Sequence, residues 1–316
     1  MVPVRPIGIT EGEEVGTLHD MVKTYQVCRP FATLNSASGS SQCVEHNPLG
    51  RPRKCETLLT DPMRPMRQRV TMSDQDQPVL VLTNDDGIDA PGMQALLQAA
   101  SGLGRCRVIA PCGPLSGCGH QVTTHQPIRI TPDGQGHLAV AGTPADCIRL
   151  AIFSLATEVR WVLSGINAGG NLGTDVHSSG TVAAVREAAI RGVPGIAVSH
   201  YIARGRAIDW PRAAVWTSRV LRRLMAEPCE PGTFWNVNLP HLAPGSEEPE
   251  IILCPLDASP LPLDYRIEAG MATYTGDYQG RTRRPGADVA VCFGGQIAVT
   301  QIRLLDPPGE SVRGAS

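Results

Sequence analysis

The amino-acid sequence predicts an α/β fold, with a mostly parallel sheet, flanking helices and a β-rich C-terminal part. Three observations predict it. Apolar segments of strand length alternate with helical segments from Pro78 onward. The run Val79–Leu82 is apolar throughout, which is typical of a strand covered on both faces. Glycine-rich loops follow the strands, and the alternation favours parallel strands joined by right-handed crossovers.

The elements are assigned in order from the length of each apolar run and from its flanking turn residues. The predicted strands of the first part are Val79–Leu82, Arg105–Ala110, Arg160–Ser164 and Gly195–Ser199, with a β-hairpin near Pro127–Thr131 and His137–Ala141. The predicted helices are Met93–Ala100, Thr143–Ala156, Thr181–Arg191 and Trp210–Met225. Thr143, Pro144 and Asp146 fit an N-cap, a first helical position and a capping-box acid.

Strands dominate the predictions for the last third of the chain. They cover Trp235–Leu239, Ile251–Cys254, Val289–Phe293 and Gln296–Ile302. We expect this part to lie outside the main sheet and to mediate oligomerisation. The run of Arg281, Arg283 and Arg284 is interpreted as a solvated basic segment.

Residues 1–75 differ from the rest, because Pro, Gly and Ser interrupt every apolar cluster and neither helical nor strand periodicity persists. We predict that they form an N-terminal extension, either disordered or a misassigned start, with the true start near Met72. The folded domain is predicted to span 76–316. Its core covers about 76–226, and its C-terminal β part covers about 227–316.

Composition and charge exclude several classes of protein. The 316 residues carry 28 basic and 30 acidic side chains, so the formal net charge of −2 argues against nucleic-acid binding. Lysine occurs only at Lys23 and Lys54, which excludes a P-loop or Schiff-base lysine from the folded domain.

No membrane-length apolar run or signal peptide is visible. The ten cysteines form no C-x-x-C pair, so we expect a cytoplasmic protein.

Two adjacent carboxylates, Asp85 and Asp86, follow the first predicted strand within Thr83–Gly87. Ligands of doubly wound sheets bind at the carboxyl ends of strands. Because no Lys or Arg lies near in sequence, a hard divalent cation would relieve the repulsion between the two acids. A polar turn closed by side-chain hydrogen bonds explains this motif equally well.

Two further loops offer polar groups. In Leu115–His120, the hydroxyl of Ser116 could ligate a metal and the backbone of Gly117 could approach an anion, although a flexible surface loop explains the segment more simply. The stretch from Ser164 to Thr181 contains five glycines in its first 17 residues, and Asn167 offers a carbonyl oxygen to a cation. The stretch ends at a predicted helix start, where unpaired N–H groups and the helix dipole favour phosphate binding. Phosphate or substrate contacts are assigned to Asn84, Gly117, Gly169, Asn171, Ser179, Gly180 and Thr181.

All three loops follow strands of the presumed parallel sheet, so they open onto one edge. The polar side chains at this edge, two Asp, one Ser and one Asn, offer only oxygen ligands. Such a set is typical of a site for Mg²⁺ or Mn²⁺ beside a phosphate. This predicts metal-assisted phosphoryl transfer to water, with Asp85 or Asp86 as ligand or base. An aspartyl-phosphate phosphatase is an alternative, but that mechanism usually recruits a lysine. A catalytically silent nucleotide-binding module is the other.

Four segments together resemble the SurE family of 5'-nucleotidases. They are TNDDGIDAPG at 83–92, SG at 116–117, GTPADC at 142–147 and SGINAGGNLG…SSGTVAA at 164–184. The resemblance implies a metal-dependent hydrolase of nucleoside 5'-monophosphates, sometimes with activity on 3'-monophosphates or other phosphate esters. It also implies a Rossmann-like core and a cytoplasmic homodimer or homotetramer built through a C-terminal β excursion. The family's metal ligands fall on Asp85, Asp86, Ser116 and Asn167, with Asp85 and Asp86 as catalytic residues.

Overall fold

The fold comes from a computed structural model, which describes residues 77–304. The predicted extension over 1–75 and the predicted start near Met72 lie outside the described residues. The strands are β1 (Val79–Thr83), β2 (Arg105–Pro111), β3 (Ile130–Pro132), β4 (Leu138–Val140), β5 (Val159–Ala168), β6 (Gly195–His200), β7 (Thr233–Leu239), β8 (Ile251–Leu253), β9 (Tyr265–Glu268), β10 (Met271–Tyr274) and β11 (Ile297–Arg303). The helices are α1 (Pro91–Ala100), α2 (Pro144–Leu150), α3 (Gly180–Ile190), α4 (Trp210–Met225) and α5 (Asp288–Phe293).

A nine-stranded sheet organises the described residues, in the order β3-β4-β2-β1-β5-β6-β7-β11-β8. The strands from β4 to β7 in this order run parallel, whereas β3 pairs antiparallel with β4 and β11 pairs antiparallel with β7. The predicted α/β class with a mostly parallel sheet is therefore confirmed. The carboxyl ends of β1, β5 and β6 meet at one edge of the sheet.

Helices cover the sheet on both faces, and β1 shows why its sequence is apolar throughout. Leu80 and Leu82 belong to the core under α1 and α4, which also holds Trp216. Val81 points the opposite way, into the core under α2 and α3 with Phe234. Successive side chains alternate between the faces of a strand, so a strand covered twice needs apolar residues at every position.

The predicted capping of α2 is confirmed. Thr143 Oγ1 accepts a hydrogen bond from the Asp146 amide at 3.1 Å, and Asp146 Oδ2 accepts one from the Thr143 amide at 3.0 Å. Pro144 occupies the first turn. The helix is α-helical only through Leu150, after which Ala151–Leu155 form one turn of π-helix.

Two predictions for the last third of the chain are wrong. Val289–Phe293, predicted as a strand, belongs to helix α5, where Val289 and Cys292 lie one turn apart and are buried. Strands β7, β8 and β11 join the main sheet rather than lying outside it. The reason is that β11 pairs with β7 from Ala298 to Arg303, and β8 pairs with the other edge of β11.

The hairpin of β9 and β10 does lie apart from the main sheet, as an antiparallel pair. Every residue of both strands is exposed, including Ile267 at 74% and Met271 at 72%. Of the predicted C-terminal β part, this hairpin is the portion that forms a separate sheet. Within 77–304, no helix combines the length and the apolar character needed to cross a membrane.

Candidate metal and phosphate site

A tight turn places Asp85 and Asp86 at the carboxyl end of β1. The Asn84 side chain closes the turn, since its Nδ2 donates to the Gly87 carbonyl at 2.8 Å and its Oδ1 accepts from the Gly87 amide at 3.1 Å. The bridged turn holds both carboxyl groups at the edge of the sheet. Asp85 is buried, with 4% of its surface exposed, and Asp86 is half-buried.

The Asp85 carboxylate lies against the start of α3. The Thr181 hydroxyl donates a short hydrogen bond to Asp85 Oδ1. Burial raises the pKa of Asp85; the Thr181 hydrogen bond opposes the rise, and the neighbouring charge of Asp86 adds to it. No Arg or His forms an ion pair with either acid in the part of the chain that the structure describes. A carboxylate in these surroundings is stabilised by a bound cation, which lowers its pKa again.

Asp86 lies beside Asn167, at the end of the neighbouring strand β5. Its Oδ2 accepts a hydrogen bond from the Ala168 amide at 3.1 Å. Asn167 Nδ2 donates to the Gly169 carbonyl at 2.7 Å, and this bond fixes the amide orientation. The carbonyl oxygen Oδ1 of Asn167 then accepts no hydrogen bond from the residues in 77–304, so it is available as a neutral ligand.

The Ser116 loop returns to the same turn. The Leu115 amide donates to the Asp85 carbonyl at 2.7 Å, and the Gly119 amide donates to the Ser178 carbonyl at 3.2 Å. These bonds hold the loop between β1 and α3. The Ser116 side chain is exposed at this position. Three predicted ligands, Asp85, Asp86 and Asn167, are thus brought together, and Ser116 lies on the adjoining loop.

Gly180 makes the close approach of α3 to Asp85 possible. A Cβ at Gly180 would lie 2.8 Å from Asp85 Cβ and 2.9 Å from Cys118 Sγ, which real side chains do not tolerate. The carboxylate and the helix start therefore share a space that only glycine leaves open. Gly180 is assigned to phosphate binding from the sequence, and its lack of a side chain also lets α3 approach Asp85 this closely.

The start of α3 presents the features of an anion site. Ser179 caps the helix, with its Oγ accepting from the Val182 amide at 3.1 Å. The Gly180 amide donates to no other group in 77–304, and the first turn contains no acidic residue. Free amides and the helix dipole together favour a negative group at this point.

The other predicted phosphate contacts have their polar groups occupied or lie at the surface. Asn84 is used within its turn, as described above. The Gly169 amide donates to the carbonyls of Asn167 and His200, and Asn171 Nδ2 donates to Ser199 Oγ at 2.7 Å. Gly117 is exposed, with a φ of +76°. Substrate contacts at these four residues stay predictions.

Sequence reasoning missed a second polar centre, beneath the loop between Asn167 and Ser179. Arg281 is fully buried, contrary to its interpretation as solvated, and its Nη1 lies 3.0 Å from Asp175 Oδ2. Tyr278 donates to the same oxygen at 2.7 Å. No local pattern in the sequence indicates this centre, because Asp175 lies 106 residues before Arg281.

The donor set fits a hard divalent cation. Within the described residues no cluster of three or more His, Cys, Asp or Glu side chains exists that could hold a metal. The edge instead combines two carboxylates with neutral oxygens of Asn and Ser. Mg²⁺ is bound by one or two carboxylates and keeps several waters, so this sparse oxygen set matches its preference, and Mn²⁺ shares that preference.

An open α/β sheet with its polar groups at the carboxyl edge defines the class of doubly wound ligand-binding proteins. The family model described as Survival protein SurE matches residues 80–256. The chain belongs to the SurE family.

Relatives and a solved structure agree with this assignment. A Nostoc sp. relative, provisionally named a 5'-nucleotidase, is 56% identical over 225 residues, which cover 71% of this chain and 99% of the relative. A Moorella thermoacetica protein named 5'-nucleotidase SurE is 38% identical, over 72% of this chain and 90% of its own. The crystal structure of the SurE protein from Aquifex aeolicus superposes with a TM-score of 0.65 at 31% identity, covering 73% of this chain and 95% of that chain.

Proposed function

We propose that the chain is a divalent-metal-dependent phosphatase that hydrolyses nucleoside 5'-monophosphates to nucleoside and phosphate. One observation carries the proposal. Two adjacent carboxylates without a cationic partner in 77–304 face a helix start with a free amide. The names of the Moorella and Nostoc relatives support the same activity.

The residues that would hold one Mg²⁺ or Mn²⁺ are Asp85, Asp86, Ser116 and Asn167. When bound, such a cation neutralises phosphoryl oxygens and lowers the pKa of a water. Asp85 and Asp86 are the catalytic residues of the proposal. Asp86, the more exposed of the two, accepts the proton of the attacking water.

The start of α3 stabilises the transferred group. The Gly180 amide and the helix dipole bind the phosphoryl oxygens, whose negative charge is redistributed as the bond to the leaving group breaks. Thr181 holds Asp85 in place through its hydroxyl, and Ser179 fixes the first turn. The water oxygen bonds to phosphorus as the P–O bond to the nucleoside breaks. The nucleoside oxygen takes up a proton from solvent water as it leaves, and Asp86 returns its proton to solvent after the reaction.

The exposed apolar residues of the β9–β10 hairpin support the proposal of a homodimer or homotetramer. Patches of this kind on a soluble surface mark association sites, and Ile267 and Met271 are both more than 70% exposed. Activity on 3'-monophosphates and other esters, and a cytoplasmic location, belong to the same proposal.

A phosphate-release assay with nucleoside 5'-monophosphates tests the function. The purified chain is assayed with Mn²⁺, with Mg²⁺ and after EDTA treatment. Turnover that needs the metal and is restored by adding it back is expected. Nucleotide binding without turnover would instead identify a silent module. Turnover in EDTA with a trapped acyl-phosphate on Asp85 would identify an aspartyl-phosphate enzyme.

A further inference from the structure

The loop that joins β5 to α3, residues 169–179, connects the two parts of the metal and phosphate site. The proposed ligand Asn167 lies just before the loop, in a strand that pairs on both sides with neighbours of the sheet. At the other end of the loop lies Ser179, the N-cap of α3. Core packing fixes the body of α3, but its first residues also depend on the loop that leads into them.

Hydrogen bonds from β7 and from α5 fix the first part of the loop. The Asn171 amide donates to Asn238 Oδ1 at 2.8 Å, and the Asn171 carbonyl accepts from Asn238 Nδ2 at 3.0 Å. The Gly173 amide donates to Asp288 Oδ2 at 2.7 Å. Gly173 has a φ of +56°, and a Cβ there would lie 2.7 Å from the Asp257 carbonyl oxygen. The chain therefore has one narrow path through this point.

The second part of the loop is held through the side chain of Asp175 by the stem, which is the segment 275–284 that follows β10. The Tyr278 hydroxyl, at 2.7 Å, and Arg281 Nη1, at 3.0 Å, both donate to Asp175 Oδ2. Arg281 Nη2 also donates to the Leu172 carbonyl at 3.3 Å. The Arg281 side chain is fully buried, and its guanidinium lies 5.0 Å from the Tyr278 ring centre. The stem and the loop are thus joined by a buried, charged contact.

The main chain of Asp175 reaches the start of α3. Its carbonyl accepts from the Ser178 amide at 3.1 Å and from the Ser179 amide at 3.2 Å. Ser179 immediately precedes Gly180, whose amide is the free donor of the phosphate site. One residue therefore receives the stem on its side chain and holds the helix N-cap with its carbonyl.

The other polar contacts to residues 176–178 come from the site itself. Arg186, which belongs to α3, donates to the Val176 carbonyl at 2.6 Å. The Gly119 amide, on the loop that carries Ser116, donates to the Ser178 carbonyl at 3.2 Å. Within 77–304, the stem thus supplies the side-chain hydrogen bonds that tie this part of the loop to the rest of the fold.

We propose that Arg281 and Tyr278 are positioning residues for phosphate binding, which act through Asp175 on Ser179 and on the Gly180 amide. The proposal rests on the phosphatase function proposed above. An amide binds a phosphoryl oxygen over a narrow range of distance and angle, so a small displacement of the helix start weakens the contact.

The metal ligands are held independently of the stem. Asp85 accepts from the Thr181 hydroxyl, Asp86 accepts from the Ala168 amide, and Asn167 donates within its own turn. None of these bonds involves Asp175 or the stem. The proposal therefore predicts a loss of phosphate affinity without a loss of metal affinity, whereas a general loosening of the fold would weaken both.

Two mild variants remove the contact with the stem. Tyr278→Phe deletes only the hydroxyl that donates to Asp175. Arg281→Lys keeps the positive charge, but an ammonium group does not reproduce the planar fork that joins Asp175 to the Leu172 carbonyl.

Each variant has a matched control in the same region. Tyr274→Phe deletes a hydroxyl that donates to the Pro262 carbonyl at 2.7 Å. Arg283→Lys replaces an exposed guanidinium that lies 4.6 Å from the Phe293 ring centre. Neither Tyr274 nor Arg283 hydrogen-bonds to the loop 169–179 in the described chain.

Calorimetry measures two dissociation constants for each protein, one for Mg²⁺ alone and one for inorganic phosphate at saturating Mg²⁺. The Kd for phosphate should rise about threefold in Tyr278→Phe and about tenfold in Arg281→Lys. The Kd for Mg²⁺ should stay unchanged in both, and the two controls should keep both constants. An unchanged Kd for phosphate in both variants, or an equal rise in the Kd for Mg²⁺, would overturn the proposal.

A destabilised variant separates positioning from a loss of stability. Val220→Ala removes buried methyl groups from α4, in the core on the opposite face of the sheet. It should lower the free energy of unfolding in urea but keep the phosphate affinity. If Val220→Ala weakens phosphate binding as much as Arg281→Lys does, the stem has no positioning role.

Phosphate binding can be measured without turnover, so this proposal and the proposed function fail separately. A wild-type protein that hydrolyses nucleoside 5'-monophosphates, with variants that bind phosphate equally well, refutes the positioning role and leaves the phosphatase standing. Phosphate binding that weakens as predicted in a protein without turnover supports the positioning role and refutes the hydrolysis.

Discussion

Asp175 and Asp85 are both buried carboxylates, but their hydrogen-bond partners differ in charge. Asp175 receives the Arg281 guanidinium at 3.0 Å, the Tyr278 hydroxyl at 2.7 Å and the Leu172 amide at 3.2 Å. Asp85 is as well buried, but its side-chain partner is the neutral Thr181 hydroxyl. The charge of Asp175 is neutralised by Arg281. The charge of Asp85 has no ionic partner among the described residues.

The difference separates a structural role from a functional one. A buried charge without an ionic partner costs free energy. In the part of the chain that the structure describes, no Arg or His pairs with Asp85. The proposed Mg²⁺ or Mn²⁺ would supply at Asp85 the positive charge that Arg281 supplies at Asp175. The predictions below test this contrast, from the largest expected effect to the smallest.

Asp86→Asn should lower kcat by at least about a thousandfold at saturating Mn²⁺, because it removes a charged ligand and the proposed base. The free energy of unfolding without metal should change little, since Asn keeps the oxygen that accepts from the Ala168 amide. Steady-state kinetics and urea denaturation measure the two effects.

Asp89→Asn is the matched control, because Asp89 is exposed and lies in the same sequence motif. It should retain near-wild-type turnover. Near-wild-type kcat in Asp86→Asn would contradict the assignment of this carboxylate.

Arg281→Met should lower the free energy of unfolding by about 3–5 kcal/mol, because it leaves the Asp175 carboxylate buried without its cation. Urea denaturation with and without Mn²⁺ measures this loss. Arg284→Met, at an exposed position, should cost little. If both variants lose equally little, the Asp175 centre does not depend on its ion pair.

Mn²⁺ at a hundred times its Kd should stabilise the wild-type protein by about 2.7 kcal/mol, which corresponds to a rise in Tm of roughly 5–10 °C. Asp86→Asn should lose most of this rise, and Arg281→Met should keep it. Differential scanning calorimetry with Mn²⁺ and with EDTA measures the shifts. An equal rise in wild type and Asp86→Asn would place the metal elsewhere.

Lowering the pH should destabilise the protein through His200. Burial lowers its pKa to about 4 in the folded state, from about 6.5 in the unfolded state. The unfolded chain therefore binds a proton first, and the contribution of the neutral ring, fully present above about pH 6.5, is lost as the pH falls towards 4. We expect a loss of about 3 kcal/mol from this group between pH 7 and pH 4.

Comparison of the wild type with His200→Asn isolates that effect, because the other titrating groups cancel in the difference. Urea denaturation is measured from pH 7 to pH 4. The wild type should lose stability more steeply than the variant between pH 6.5 and pH 4. Parallel curves would show that His200 does not resist protonation.

The core of the fold and the convergence of Asp85, Asp86 and Asn167 at one edge could be predicted from the sequence because both depend on local patterns; that these residues hold a metal stays a prediction. The apolar run of β1 reports burial on two faces, and the parallel order of the strands brings Asp85 and Asn167 to one edge. The α3 start follows from Ser179 and the glycine after it. Each of these features is encoded within a few neighbouring residues.

The features that were missed depend on distant partners. Helix α5 is only six residues long, too short for its periodicity to distinguish it from a strand. The burial of Arg281 depends on an aspartate 106 residues away. The pocket lined by His200, Trp216 and His241 combines residues of β6, of α4 and of the segment after β7.

The position of β11 affects how the protein is made. It pairs with β7 along the sheet but begins 58 residues after β7 ends. During synthesis, β7 therefore remains an unpaired edge while those residues are translated, and exposed edges promote aggregation. Nascent chains stalled before residue 297 should be more sensitive to protease, and more dependent on chaperones, than chains extended through residue 304.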